Sequence, residues 1–301
     1  MRLIKRRLVG KEGSERVREL RTILTELPNY RNGPYADIRK WVHGQIEETR
    51  VRLHVIQRDS ISVRREGAAQ VALVGPPNSG KSSLLNALSH VQIKIGDYAF
   101  TTVRPVPALT RIGGVLVQLV EIPGLISGAS EDRGGGRALL GVLRGADAIV
   151  YCHDVNAPLR ALLEVRSEVA AAGISRAALL AATTLDEARE GALAVLQAAT
   201  PDLPVVGVSI IDDASLEAFK EAVWGLTGLI RVYLRHDKQV ADEPLALAQG
   251  ATVTDVAARV HRSLAARFRG ARIWGPWARF DGQLVGRDQP VHNGDVVEIL
   301  V

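Results

Sequence analysis

The chain has 301 residues, 47% hydrophobic and 24% charged, with one cysteine and a formal net charge of +5. That length can bury a large core and leaves room for about two domains of ~100–200 residues. No apolar run reaches the ~20 residues of a membrane span, and one cysteine excludes an intramolecular disulfide and a cysteine-rich metal site. The start, MRLIKRRLVGKEGSE, is basic without a signal-type apolar stretch, so the expectation is a cytoplasmic protein with no membrane partner. Charge is uneven. Residues 1–66 hold 16 Lys and Arg against 9 Asp and Glu, residues 67–228 hold 12 against 16, and residues 229–301 hold 10 against 8. The basic excess at both ends suits either a polyanion such as RNA or an ordinary solvated surface.

Residues 14–29 place Val17, Leu20, Ile23, Leu24 and Leu27 on one face behind a possible cap, Ser14, which predicts an amphipathic helix. Pro28, Asn29, Asn32, Gly33 and Pro34 interrupt it. The helical pattern resumes over 36–58 through Ile38, Trp41, Val42, Ile46, Val51, Leu53 and Ile56, giving an antiparallel hairpin.

At residue 70 the pattern becomes QVALVGPPNSGKSSLLNAL, read as strand, loop and helix. Gly75 to Ser82 spell G-x-x-x-x-G-K-S. Backbone N–H groups at a helix N-terminus can cradle phosphate oxygens, and glycines let the backbone come close enough. Asn78, Ser79, Gly80, Lys81, Ser82 and Ser83 are therefore candidate nucleotide ligands. Lys81 would act as a point charge on the β- and γ-phosphates, and the Ser82 hydroxyl would bind Mg²⁺. The flanking strand and helix favour this over a glycine turn with an incidental lysine.

Next come Tyr98-Ala-Phe-Thr-Thr-Val103 and strands near 108–112 and 115–122. A threonine in such a loop can complete the Mg²⁺ shell when a γ-phosphate is present; Thr102 is the candidate and Thr101 the alternative. The second strand ends Glu121-Ile-Pro-Gly124, where D-x-x-G is expected. Gly124 can donate its N–H to a γ-phosphate, and Glu121, one methylene longer than aspartate, would act on the metal through water. A helix at 137–145, a buried strand at 147–153 with Cys152 as core filler, a helix at 157–173 and a strand at 177–182 follow. There Thr183-Thr184-Leu185-Asp186 replaces N-K-x-D. Asp186 can accept from guanine N1 and N2, or it can be only the N-terminal charge of the next helix. Thr183 stands where the asparagine would. After a strand at 205–209, Ser209 and the Ile210 backbone fit under the base, and a helix runs over 216–226. Alternating strands and helices give a doubly wound α/β sheet with ligands at the strand C-termini.

From residue 229 the pattern changes again: strands at 230–234 and 244–248, a helix capped by Thr252 with Val253, Val256, Ala257, Val260 and Leu264 buried, then strands at 271–274 and 296–301 separated by Asp281-Gly282 and Asn293-Gly294 turns. This is a ββαββ unit. Arg259, Arg262, Arg267, Arg269, Arg272 and Arg279 are candidate phosphate contacts. Trp274 and Trp277 read as packing residues more readily than as base platforms.

Residues 71–154 resemble the Obg and DRG branch of P-loop GTPases, on the phosphate loop, Y-x-F-T-T, P-G-L-I-S-G-A-S and Arg133-Gly-Gly-Gly-Arg137. The developmentally regulated GTP-binding (DRG) proteins fit the whole chain, since residues 250–301 resemble their TGS domain, a β-grasp module. The resemblance implies a helical hairpin over 1–66, a G domain over 67–228 and a TGS domain over 229–301. It implies a guanine-nucleotide switch in translation or ribosome-associated processes, with GTP or GDP and Mg²⁺ bound. RNA or ribosome contact would run through the TGS domain and the basic hairpin, and a stabilising protein partner is compatible with it. Leu125 stands where Ras-type enzymes carry the water-positioning glutamine, so hydrolysis should be slow. Asn78 resembles the asparagine that helps some GTPases hold K⁺ in place of an arginine finger, or it only stabilises the loop. An insertion found in most DRG proteins after the switch II region is missing at 154–178. Two alternatives stand beside this reading: an NTPase with relaxed base selectivity, and a nucleotide-binding RNA or ribosome scaffold without turnover.

Overall fold

The computed structural model describes residues 4, 7, 8, 11, 13–28, 33–58, 63–89, 91, 92, 105–123 and 136–301. The chain divides into two compact units, residues 1–61 and 62–301.

In the first unit, α1 (Gly13–Glu26) and α2 (Pro34–Arg58) form the expected pair. Its core is Leu8, Val17, Leu20, Ile23, Val42 and Ile46, with Leu24, Leu27, Ile38 and Trp41 packed against it. The α1 carbonyls left free at the helix end find a donor in Arg39, whose Nη1 lies 3.1 Å from Leu24 O and 3.0 Å from Leu27 O. Arg7 pairs with Glu19 and Glu26, and Lys11 with Glu19.

The second unit opens with β1 (Gln70–Val74), α3 (Lys81–Leu88), β2 (Val91–Gln92), β3 (Val106–Ile112), β4 (Val115–Glu121), α4 (Gly136–Gly145), β5 (Ala148–Asp154), α5 (Leu159–Ala171), β6 (Ala177–Thr183), α6 (Ala192–Ala199), β7 (Val205–Gly207) and α7 (Asp213–Leu226). The sheet order is β2-β3-β4-β1-β5-β6-β7. β4, β1, β5, β6 and β7 run parallel, whereas β2 and β3 are antiparallel additions at one edge, so the sheet is mixed. β1 and β5, in the middle of the sheet, are buried on both faces, which is why they read as continuous apolar runs. Helix α6 and a 3₁₀ turn at Leu185–Glu187 stand where the sequence offers no clear periodicity.

A second sheet follows: β8 (Leu229–His236), β9 (Gln239–Val240), β10 (Leu245–Ala248), β11 (Gly270–Trp274), β12 (Gln283–Val285) and β13 (Val296–Leu300), ordered β10-β8-β13-β11-β12 with β9 on β8. β8 and β13 are parallel at its centre. The expected single helix is two, α8 (Val253–Val260) and α9 (Arg262–Arg267). His261 breaks it: its backbone is extended, and its Nδ1 accepts from Ser263 N–H. Thr252 caps α8 as expected, in a capping box with Asp255. β9 and β12, too short to register as alternating patterns, add to the ββαββ plan.

The two sheets of this unit meet through Arg231 on β8. Its guanidinium lies 4.4 Å over the Trp224 ring and pairs with both Glu221 carboxylate oxygens. It also lies against Gly113 in the β3–β4 turn, where an added Cβ would stand 2.4 Å from Arg231 Cζ. Gly113→Ala should therefore cost about 2 kcal/mol in urea unfolding, roughly half from its φ of +52° and half from the displaced guanidinium. In an Arg231→Ala background the cost should fall to about 1 kcal/mol; equal costs in both backgrounds would mean that the guanidinium yields freely.

Candidate functional site

The loop from β1 to α3 folds flat against the end of β5. A Cβ on Gly75 would stand 2.2 Å from the Cys152 carbonyl oxygen, so only glycine fits there. Asn78 and Gly80 take left-handed conformations, with φ of 61° and 73°, and turn the chain into α3. No side chain caps α3, which leaves its first-turn N–H groups available to an anion.

Lys81 is only 6% exposed, and its ammonium bends back over the loop. Nζ donates to Pro76 O at 2.7 Å, Gly75 O at 3.1 Å and Ser79 Oγ at 3.2 Å. Burial pulls its pKa below the usual lysine value, opposed by Cys152 and Glu121 nearby. Such a dehydrated cation is well placed to exchange backbone acceptors for phosphate oxygens. Cys152 is fully buried, and burial pushes its thiol up to about 12, which fits core filling rather than nucleophilic work.

The extra methylene of Glu121 does not carry its carboxylate out of reach. Ser82 Oγ donates to Glu121 Oε1 at 2.6 Å, joining the phosphate loop to the end of β4. One hydroxyl and one carboxylate are hard oxygen donors of the kind Mg²⁺ uses alongside phosphate oxygens and water, so these residues fit that ion. Ser82 and Ser83 are both exposed on the first turn of α3. Thr101, Thr102, Gly124 and Leu125 lie outside the described residues.

On the other side of the loop, Thr183 ends β6 at the position where an asparagine is expected. Its hydroxyl lies 3.1 Å from both Ser79 O and His153 O, one proton between two acceptors that link the loop to β5. Gly80 packs on the same side chain, since a Cβ there would be 3.1 Å from Thr183 Oγ1. Thr184 has a φ of 54° and turns the chain toward Asp186. The Asp186 carboxylate accepts from Ser209 Oγ at 2.5 Å, and the helix it was expected to precede begins only at Ala192. Ser209 is itself held by Ser215, with Ile211 N–H donating to its hydroxyl, and Ile210 is exposed beside it. The geometry thus brings Asn78 to Ser83, Glu121 and Thr183 around one loop and joins Asp186 to Ser209.

Asn156 escaped the sequence reading. Its amide donates to Glu187 O at 2.8 Å and accepts from Arg189 N–H at 3.0 Å, while its own N–H binds Asp154 Oδ1. It braces the turn that carries Asp186. Its sequence signal is the D-x-N spacing at the end of β5, a short-range turn pattern.

Residues 70–183 match the family described as 50S ribosome-binding GTPase, and residues 230–301 match the TGS domain. The chain carries a GTPase domain of this family followed by a TGS domain. Relatives extend over most of it. A protein of Halobacterium salinarum named as an uncharacterized GTP-binding protein is 28% identical over 79% of this chain and 85% of its own length. Developmentally-regulated GTP-binding protein 1 of Xenopus laevis is 25% identical over 80% and 85%, and ribosome-interacting GTPase 1 of Saccharomyces cerevisiae is 26% identical over 79% and 84%. The YchF GTPase of Schizosaccharomyces pombe shares the fold, with a TM-score of 0.53 at 13% identity over 78% of this chain and 98% of that one. The DRG resemblance therefore holds across the GTPase and its TGS domain. The Halobacterium alignment spans 313 positions, more than the 301 residues here, so this chain lacks segments that the relative has.

Thr183→Val keeps the shape and removes the hydroxyl, leaving Ser79 O and His153 O without their shared donor. This should cost about 1–2 kcal/mol in urea denaturation of the nucleotide-free protein; an unchanged midpoint would show that the tether contributes nothing.

Proposed function

We propose that this GTPase is a slow guanine-nucleotide switch that works with the ribosome or its RNA. The observation that carries the reading is the Ser82–Glu121 hydrogen bond, because it couples the phosphate loop to the strand leading into the second switch segment. In this account the N–H groups of Asn78 to Ser83 and the Lys81 ammonium hold the β- and γ-phosphates. Ser82, and Glu121 through a water, would hold Mg²⁺, which would supply neutralisation of the phosphate charge. Asp186 accepts from guanine N1 and N2, with Ser209 and the Ile210 backbone beside the base and Thr183 fixing the loop. Thr102 and Gly124 sense the γ-phosphate, and its loss releases both switch segments.

Leu125 offers no hydrogen bond to an attacking water, which supports slow turnover. Asn78 would lend its side chain to K⁺, whose charge can stand in for an arginine finger. The division into a hairpin at 1–66, a G domain at 67–228 and a TGS domain at 229–301 is supported by hydrophobic clusters, among the described residues, centred within each segment. The name of the yeast relative supports ribosome contact, and a cytoplasmic location follows from that reading. Arg259, Arg262, Arg267, Arg269, Arg272 and Arg279 are all exposed, which suits RNA phosphates meeting the TGS domain, with the basic hairpin as a second contact. One further reading, an NTPase with relaxed base selectivity, is favoured by Thr183 and Thr184 in place of an amide and a lysine.

Multiple-turnover phosphate release from GTP with Mg²⁺ tests the proposal. Turnover should be slow in Na⁺ and faster in K⁺, and Lys81→Ala should lower it by at least about 100-fold, the scale of one lost transition-state contact. Unchanged hydrolysis by Lys81→Ala would remove the mechanism.

A further inference from the structure

The turn that carries Asp186 begins in a strained conformation. Thr184 has a φ of +54°, which a β-branched side chain rarely adopts, and the 3₁₀ turn after it spans only Leu185–Glu187. Such a backbone persists where its surroundings over-determine it. On one side those surroundings are β7 and the segment after it. Leu185 N–H donates to Val208 O at 3.3 Å, and a Cβ on Gly207 would stand 2.9 Å from Leu185 Cδ1, so the leucine lies against bare backbone. Asp186 is held on the same side by Ser209.

On the other side stands Asn156, from the loop after β5. Its amide closes on the exit of the turn with both ends, Nδ2 donating to Glu187 O and Oδ1 accepting from Arg189 N–H. Asn156 is itself anchored. Its N–H donates to Asp154 Oδ1 at 2.8 Å, Ala157 N–H to Asp154 O at 3.0 Å, and Val155 N–H to Thr183 O at 3.1 Å. Thr183 in turn reaches Ser79 in the phosphate loop. The same strand ends therefore set both the phosphate loop and the Asp186 turn, and with them the span between a diphosphate and a base. Glu187 and Arg189 are exposed, so the backbone groups that Asn156 holds can turn to water instead. Their bonds to the amide add little to stability and much to position.

We propose that Asn156 is a positioning residue for base selection and a determinant of guanine specificity. With no asparagine or lysine of N-K-x-D to share the base, selection falls on how firmly the Asp186 carboxylate is held. Guanine presents N1–H and its 2-amino group side by side, and a carboxylate takes both only when its plane is fixed. Ser209 fixes one oxygen of that carboxylate, and Asn156 fixes the backbone from which it extends. The inference rests on the guanine-reading role proposed above for Asp186 and adds the group that makes it selective.

The test is competition of GDP, IDP and ADP against a fluorescent GDP analogue, with the full chain in Mg²⁺. Wild type should prefer GDP over IDP, which lacks the 2-amino group, by about 10-fold, the scale of one hydrogen bond to a charged group. Asn156→Ala should weaken GDP by about 10-fold and IDP by about 2-fold, so that the preference falls to about 2-fold. ADP should not weaken, and the urea midpoint should stay where it is. Asn156→Asp, of the same shape and still an acceptor for Arg189 N–H, should fall between the two, and it decides the question if the alanine variant is unstable. Wild-type preference in both variants overturns the inference and leaves base reading by Asp186 intact. Equal weakening of all three nucleotides also overturns it, since Asn156 would then support only the fold. A wild type that binds all three equally overturns it together with the guanine-reading role of Asp186.

Discussion

The phosphate loop depends on one backbone contact that admits no side chain, the approach of Gly75 to the Cys152 carbonyl oxygen. It sets the loop across the ends of neighbouring parallel strands, because β1 pairs with β5 and β5 with β6 in register through Val74, Tyr151 and Leu180. From there the Thr183 hydroxyl at the end of β6 reaches Ser79 and His153. A larger residue at 75 would push the loop away from β5, and the ammonium of Lys81, the hydroxyl of Ser82 and the tether at Thr183 would lose their common frame.

A second consequence lies in the β3–β4 ladder. At one end Glu121, paired in register with Val106, takes the Ser82 hydroxyl. At the other the Gly113-Gly114 turn rests on Arg231 and Pro244 of the TGS domain, with Arg111 bonded to Glu243. Every residue between these ends is paired across the ladder, which makes it stiff. The phosphate loop and the domain junction are thus joined by one continuous paired ladder. Partly buried Leu229 and Ala246 pack into the G-domain core and extend the junction with apolar contact.

Much of this was legible in the sequence because it rests on short-range physics. The phosphate loop, the capping box at Thr252, the helical hairpin and the alternation of the terminal strands each follow from spacing within a few residues. What could not be read depends on contacts between distant segments. The reach of Glu121 to Ser82 needed the register of β4 against β1. The tether by Thr183 needed the packing of β6 beside the loop, so that a residue which breaks the N-K-x-D pattern nonetheless holds Ser79. Trp277 is exposed rather than packed as expected, which was hidden because Trp274, three residues earlier in the same aromatic cluster, is packed under Arg235. His261 broke a helix whose apolar periodicity ran on to Leu264, a local hydrogen bond to Ser263 winning over the wider pattern.

Base reading carries the most weight in the account, since Asp186 and Ser209 must select guanine without the usual asparagine and lysine. Calorimetric titration of the nucleotide-stripped protein with GDP and ADP in Mg²⁺, for wild type and Asp186→Ala, addresses it directly. The account predicts that wild type binds GDP at least about 100-fold more tightly than ADP and that Asp186→Ala abolishes the difference, because a paired carboxylate penalises a base without matching donors. Equal affinity of the wild type for GDP and ADP would contradict it.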